Sequence, residues 1–579
     1  MTVAGGCPQA RTMKWIASLI LSLVGCGLGM LGLFAGSRTL GAPPQRTGDE
    51  TEPSRCVSEA TIQVTVSPSK VTLGQPGILS WSVNLQNHCP AVKVKLNGES
   101  VATKGSRSVS PSRTTAYTVV VSETRLGVHA EKSRSARVEV GYSPRLIIDR
   151  NTRDPVGVLI GALTNSTNDE QTIELCDVDL DLTGRSDLVI RAKRSLIASP
   201  TCARGPRSFG PRIFVTDHRE GKPLFDIEGD NVRVSGFRLE GPTPDIGSGE
   251  NTERGIVISP LPDTQPIHSI EISNMEISRW SGAGVHVKDN AQSAERGRLF
   301  NTNPAAVHIK NNYFHHNRHD NSWGYGVDVA DGAYALIEQN VFDENRHAIA
   351  GKSRNDDALD YSGYTARENL ILPGGGVHCG PLFCSHTHQI DMHGDQNRWY
   401  SGSNWNCGTA GETMLIERNT ILYTNGLAIK IRGNPADKAV ADGNVFKHVS
   451  RSDAIGQNGY CGSGDNITKP IDVRRNNVFG VDPTTELGSC DFAGDGQQDQ
   501  FMATGVTWWA FSTITSQWRY LNTMPQKLSE LQFADVDGDG VCDVMLRAKP
   551  GDLLPGKYSK SGASPWMLRV TQAPHLPQL

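Results

Sequence analysis

Between Ala305 and Gly433 one short phrase of residues is written again and again, and no other feature narrows the fold as much. Ile309-Lys310-Asn311-Asn312-Tyr313-Phe314 returns as Ile337-Glu338-Gln339-Asn340-Val341-Phe342 and as Ile416-Glu417-Arg418-Asn419-Thr420-Ile421. Looser copies surround Asn274, Asn369, Asn444 and Asn477. After each copy comes a second apolar alternation, such as Tyr325-Gly326-Val327-Asp328-Val329 or Leu427-Ala428-Ile429-Lys430-Ile431. A unit that recurs about every 25 to 30 residues marks a stacked repeat. Its period of two makes it β, not helical. Asn tolerates left-handed turns, so an Asn at one place in each coil suits a repeated bend. Its amide can also bond to the Asn of the next coil. The expectation is a solenoid of about ten or more coils, with Asn312, Asn340, Asn369, Asn419 and Asn444 in one column.

Together these repeats resemble right-handed parallel β-helix proteins of the pectate-lyase-like kind, over roughly Arg145 to Asp482. The resemblance implies an all-β fold, with residues 144–486 as the β-helix. It implies little chemistry, because unrelated activities share such scaffolds.

Composition agrees. Sixty Gly and 6% aromatics suit a turn-rich β protein. A net charge of −4 argues against a nucleic-acid partner, which calls for a basic bias. Of twelve Cys, two (Cys7 and Cys26) lie in the leader region, and the rest form an even number without a CxxC pair. They read as disulfides of an oxidising compartment, with Cys56–Cys89 and Cys176–Cys202 the first pairings to test.

Residues 1–42 read as a signal peptide or membrane anchor. Arg11 and Lys14 precede an apolar run from Trp15 to about Ala35. Leu23-Val24-Gly25-Cys26 resembles a lipobox, the run could stay as a membrane span, or cleavage could fall between Ala35 and Ala42. All three fates lead to a secreted or surface-held protein, touching membrane only through this segment. Residues 43–56 are a Pro-, Thr- and Glu-rich linker. Residues 57–142 contain short alternating runs with turns every 8 to 12 residues, the pattern of a small β-sandwich. Their wording resembles bacterial immunoglobulin-like modules, with Trp81 and Tyr117 as core filling. Flanking units of this kind stand where a β-helix needs caps.

Residues 490–579 change character. Asp491-Phe492-Ala493-Gly494-Asp495-Gly496-Gln497-Gln498-Asp499 is echoed by Asp535-Val536-Asp537-Gly538-Asp539-Gly540-Val541-Cys542-Asp543. The oxygen donors stand at positions 1, 3, 5 and 9, with Gly at 6, but no Glu follows at position 12. The pair resembles the calcium loops of FG-GAP or VCBS repeats. That resemblance implies structural Ca²⁺ on Asp535, Asp537, Asp539 and Asp543, and on Asp491, Asp495 and Asp499, where Ala493 replaces one donor. Acidic turns without metal are the plain alternative. Two such units cannot close a propeller, which points to packing on the end of the β-helix.

Aligning the coils puts Val285/Val287, Val327/Val329, Ile390/Met392 and Ile429/Ile431 inside. His286, Lys288, Asp328, Asp391, His393, Lys430 and Arg432 then share one outward face, while the direction of His347 is uncertain by one residue. The 50 residues between Asn369 and Asn419 hold His388 and His393 in His388-Gln389-Ile390-Asp391-Met392-His393-Gly394, with Trp399 and Trp405 beyond. A long loop on a rigid scaffold is usually functional. A solvated surface group is the plain alternative for His393, and a core histidine for His388. Cys379, Cys384 and Cys407 match no zinc spacing, so they too read as disulfides. A mixed-charge groove flanked by Trp280, Trp323, Trp399 and Trp405 suits a polysaccharide, probed also by His286, Lys288, His347 and His388. In elimination from a uronic-acid polymer, Lys430, Arg432 or His393 would be the base, with Asp328 and Asp391 holding Ca²⁺. In hydrolysis Asp328 and Asp391 would be the carboxylate pair. A glycan-binding adhesin or rod is the non-catalytic alternative. The order Asp328, His393-Gly394, Lys430-Ile431-Arg432 resembles polygalacturonases, whose Asn-Thr-Asp, Asp-Asp and Gly-His-Gly motifs are absent, so no roles follow. Oligomeric state is not legible.

Overall fold

The structure, a computed structural model, describes residues 55–568 apart from 74, 86–88, 90, 112, 126–127, 142, 165–169, 200, 203–209, 218–220, 243–252, 260–268, 289–306, 320–322, 354–360, 380–383, 396–406, 460–465 and 548–555. The leader, all of the linker but its last two residues, and Trp399 and Trp405 therefore lie outside the described residues. No helix among them is long and apolar enough to cross a membrane.

Three parallel sheets of 11, 10 and 9 strands run side by side from Arg145 to Phe479, each strand paired with its counterpart one coil on. This is a parallel β-helix. The repeated phrase is split across the first and second sheets, as where Val307–Lys310 and Tyr313–His315 meet at a corner. The apolar alternation that follows forms the third sheet. Inside, one continuous core runs from Leu146 to Ile471. Phe314 stacks on Phe342 at 5.2 Å between ring centres.

The corner between the first two sheets explains the repeated Asn. Asn312, Asn340, Asn369, Asn419, Asn444 and Asn477 form one buried ladder. From Asn340 onward each Oδ1 accepts from both the backbone N–H and the side-chain amide of the Asn one coil earlier, as in Asn312 N–Asn340 Oδ1 (3.0 Å) and Asn312 Nδ2–Asn340 Oδ1 (2.9 Å). Each Nδ2 also reaches a backbone carbonyl, such as Asn369 Nδ2 to Ile337 O at 2.9 Å. The ladder Asn is not the left-handed residue, however. That role falls to its predecessor: Gly236, Asn274, Asn311, Gln339, Glu368, Arg418 and Gly443 have φ between +52° and +87°. Asn274 therefore stands one place off the ladder, and Met275 donates its N–H to Asn312 Oδ1 instead. A second ladder, not anticipated, links Asn317 to Asn345 at the next corner.

The N-terminal end is closed by the Pro155–Thr164 helix, whose Val158, Leu159, Ala162 and Leu163 enter the main core. Before it, a three-stranded and a five-stranded sheet share a core containing Leu79, Trp81, Leu96 and Val119, against which Tyr117 packs. Two four-stranded antiparallel sheets follow the helix from Gly488 to Leu568. They do not cap its end. Met502 and Trp509 pack on Val341, Leu370 and Leu422 of the second sheet, and Gln517 donates to Glu276 at 2.7 Å. The expected end-on docking is therefore corrected to a flank, where the second sheet offered outward apolar side chains.

Disulfides join Cys56 to Cys89, Cys176 to Cys202 and Cys490 to Cys542. Cys384 and Cys407 are disulfide-bonded as well. Such bonds indicate an extracellular environment.

Candidate functional site

Strand register settles what shares a face on the third sheet. Residues 285 and 287, 327 and 329, 390 and 392, and 429 and 431 are all in the core. The alternate positions form columns on the other side. The middle column runs His286, Asp328, Ala350, Asp391, Lys430. Beside it run Lys288, Ala330, Lys352, His393 and Arg432. On the other flank Tyr325 stacks on His347 at 5.5 Å and His347 on His388 at 4.5 Å between ring centres, which fixes the open direction of His347.

This face is not the open groove the alternation suggested. Asp391 and His347 have no exposure, and His286, Asp328 and His388 have 7% or less. Lys288, Lys430, His393 and Arg432 are half-buried. Trp280 lies in the core and donates to Leu239 O, so it offers no sugar platform. Trp323 keeps 38% exposure beside Tyr325. Asp328 and Asp391 also fail to meet: Ala350 lies between them, a separation of two coils or about 10 Å. They cannot jointly hold one Ca²⁺. Lys430 neighbours Asp391, and Asp328 instead binds His286 at 2.7 Å.

The centre of the face is a four-group cluster. Asp391 Oδ1 accepts from Arg432 Nε at 2.9 Å, and Oδ2 meets Arg432 Nη2. The same Oδ2 lies 3.1 Å from His388 Nε2 and 2.8 Å from His393 Nε2. Arg432 Nη2 also reaches those ring nitrogens, at 3.3 Å and 2.8 Å. Burial pushes the Asp391 carboxyl up, but Arg432, His388 and His393 overcome it and hold it well below the usual range. Burial pushes His388 down to about 4, against the pull of Asp391, and lowers His393 in the same way. At neutral pH this leaves a carboxylate, a guanidinium and two uncharged imidazoles. Burial, then Arg432, lowers Lys430.

Substituting Asp391 therefore carries more than the cost of about 0.5 kcal/mol that an outward, exposed position would have. It strands a buried guanidinium. His393 is different, with 18% of its side chain accessible.

His347, His388 and Asp391 offer ligand atoms within 4.8 Å of one another. Arg432 already bonds two of those three groups, so the charge there opposes a cation. In the C-terminal unit Asp535, Asp537 and Asp539 converge and are exposed. Lys560 Nζ lies 2.6 Å from Asp537 and 2.9 Å from Asp539. Asp543 is not part of that group: fully buried, it accepts from Val536 N and Ser561 N. In the first loop Asp491 accepts from Gly494 N, Asp495 N and Gly496 N, Asp495 from Gln497 N, and buried Asp499 from Ala493 N. Among the described residues that loop gathers no ligand group. Its acids are spent on backbone.

Sequence reasoning missed Tyr325 and Arg346, which join the outer face through register, while His378, noted only for the His and Cys density of the long insertion, comes from a hairpin. It also missed Asp343, pushed up to about 6 by burial and by Glu344. A cleft of about 540 Å³ lies elsewhere, in the seam lined by Tyr313, Gln339, Trp518 and Tyr520.

No protein-family model matches this chain, and no curated protein matches it. Among solved structures it is similar to the crystal structure of the Agl-KA catalytic domain, with a TM-score of 0.27 and 9% identity over 73% of this chain and 87% of that one. A likeness of that size carries no chemistry from one chain to the other.

Proposed function

We propose that this is a carbohydrate-active enzyme of the cell exterior that works on a polysaccharide at the outer face of the third sheet, by elimination in preference to hydrolysis. The observation that supports it is the Asp391–His388–His393–Arg432 cluster, in which a partly accessible imidazole is kept uncharged beside a fixed ion pair. A neutral imidazole is a competent base near neutral pH. His393 takes the proton next to the sugar carboxylate, and the electron pair forms the new double bond as the glycosidic C–O bond breaks. Lys430, the register partner of Asp391 on the adjacent coil, would give the departing oxygen its proton. Arg432 and Asp391 orient the imidazole and act through it.

Hydrolysis by Asp328 and Asp391 is the second reading, favoured by their shared column. Against it, a separation of about 10 Å exceeds the roughly 5 Å of retaining pairs and slightly exceeds the inverting range, and the ion-paired Asp391 is a poor proton donor. Binding without turnover needs no suppressed imidazole pKa. Structural Ca²⁺ in the C-terminal unit would be held by Asp535, Asp537 and Asp539, whose carboxylates suit a hard cation.

A panel of acidic and neutral polysaccharides tests this reading. Ultraviolet absorbance of an unsaturated product marks elimination, and new reducing ends without it mark hydrolysis. No product from any member of the panel would leave a binding protein.

A further inference from the structure

The two arginines behind the third sheet are treated differently. Arg432 is neutralised by Asp391. Arg346 is at least as deeply buried, at 7% exposure, yet its Nε and Nη1 meet no acceptor among the described residues. Its guanidinium lies 5.9 Å from the Tyr325 ring centre, and no carboxylate of the described residues pairs with it. Arg346 also bonds the Tyr325 side chain, but buried donors in native proteins are nearly always satisfied, so its two unspent nitrogens mark a place for a ligand.

Two further unspent groups lie around it. His347 Nδ1 bonds the His388 carbonyl, so Nδ1 carries the hydrogen and Nε2 a lone pair. That Nε2 is buried and without a partner among the described residues. His378 comes from the hairpin formed by Val377–Cys379 and Cys384–His386, inside the long insertion. The base of that hairpin is tied to the Arg346 corner by Gly376 N donating to Asn345 O at 2.8 Å, and the buried Nδ1 of His378 is likewise unspent. A metal on His347 and His388 is the competing occupant. With Arg432 neutralised by Asp391, the charge of Arg346 is left over beside those rings and decides for an anion instead.

We propose that Arg346 receives an oxyanion carried by a sugar, either the carboxylate of a uronic acid or a sulfate ester. The hairpin brings half-buried His378 against the same group. This rests on reading the face as a polysaccharide site, and it assigns the acidic subsite to residues outside the Asp391 cluster. Arg binds such planar, charged groups better than Lys does.

The test is calorimetric titration of the full-length protein with three oligosaccharides of equal length: an oligouronide, a sulfated neutral chain, and the same neutral chain without sulfate. One charged class should bind at least tenfold tighter than the uncharged chain, and which class it is identifies the oxyanion. Arg346→Gln should erase that preference. His378→Gln, on a half-buried hairpin, should weaken it several-fold with unchanged melting, and it serves if Arg346→Gln fails to fold. Equal binding of charged and uncharged chains, or an intact preference in the folded variants, overturns the proposal. Turnover of a uronic-acid polysaccharide, lost in His393→Ala but kept at the parental rate and affinity in Arg346→Gln, would keep the enzymatic reading and sink the Arg346 site. Inorganic sulfate that raises the melting temperature of the parent but not of Arg346→Gln, with no polysaccharide turned over, would do the reverse.

Discussion

Two columns of buried polar groups run along this β-helix, and they are built on opposite plans. At the first corner six Asn side chains repeat one bonding pattern, each giving an N–H to a carbonyl and all but Asn312 accepting two N–H groups. On the third sheet, successive coils contribute an aspartate, an alanine, a second aspartate and a lysine at one position, flanked by histidines and arginines. The ladder satisfies its members. The charged face leaves Arg346 and His347 with unspent atoms and shifts the protonation of its histidines. Buried polar groups that serve stability alone tend to be fully paired, whereas a site that meets a ligand keeps bonding capacity in reserve.

The contrast can be broken most sharply by turnover. His393→Ala should lower the rate on a degraded polysaccharide by about 10²–10⁴, the usual worth of a positioned base, with melting nearly unchanged. A wild-type rate in that variant would move the chemistry elsewhere. Asp391→Ala should cost about 3–5 kcal/mol in denaturant unfolding, because Arg432 is left buried and unpaired. If it melts like the parent, the ion pair is not what organises the face.

Acid should separate the columns next. The His388 ring titrates at about 4 in the folded chain against 6.5 unfolded. The unfolded chain therefore binds more protons between those values, and stability rises with pH across that window and is lost as pH falls from 6.5 to 4. The drop is on the order of 2–3 kcal/mol. His388→Gln should flatten that slope, and an Asn369 variant should keep it. An unaltered slope in His388→Gln would assign the titration to another group.

Asn369→Ala should cost about 1–3 kcal/mol, since the donors of Asn340 lose their acceptor. Turnover in that variant should remain at the parental rate. Any large kinetic effect would mean that the corner is coupled to the third sheet. The smallest effect concerns the C-terminal loop. Lys560 occupies the space between Asp537 and Asp539, so Lys560→Ala should enlarge the calcium-dependent rise in melting temperature. No calcium response in parent or variant would leave these acids as turn formers.

The architecture was legible because its evidence is periodic. A residue that recurs at one place in every coil must meet its own copies, so Asn312, Asn340, Asn369, Asn419 and Asn444 declared their column from the chain alone. The parity of Val327/Val329 and Ile429/Ile431 likewise declared the inside of the third sheet. Even there, the left-handed residue proved to be the one before the Asn, because an alternation shows which residues recur and not which of two neighbours bends. Cys56–Cys89 and Cys176–Cys202, near in sequence, were foreseeable, while Cys490–Cys542 was not singled out. What only the tertiary structure decided was aperiodic. Ala350 intervenes between Asp328 and Asp391 because the coil of His347 has no acid at that position. Arg346 follows Asn345 at a repeated corner, as Arg318 follows Asn317, but Arg318 meets Glu344 there while Arg346 turns to Tyr325, and His378 arrives on a hairpin that belongs to no repeat. The C-terminal sheets lie on the flank because Val341, Leu370 and Leu422 turn apolar groups outward there. The burial of His347, His388 and Asp391 follows from contacts with one another and with Arg432 across coils, and strand alternation carries no record of that.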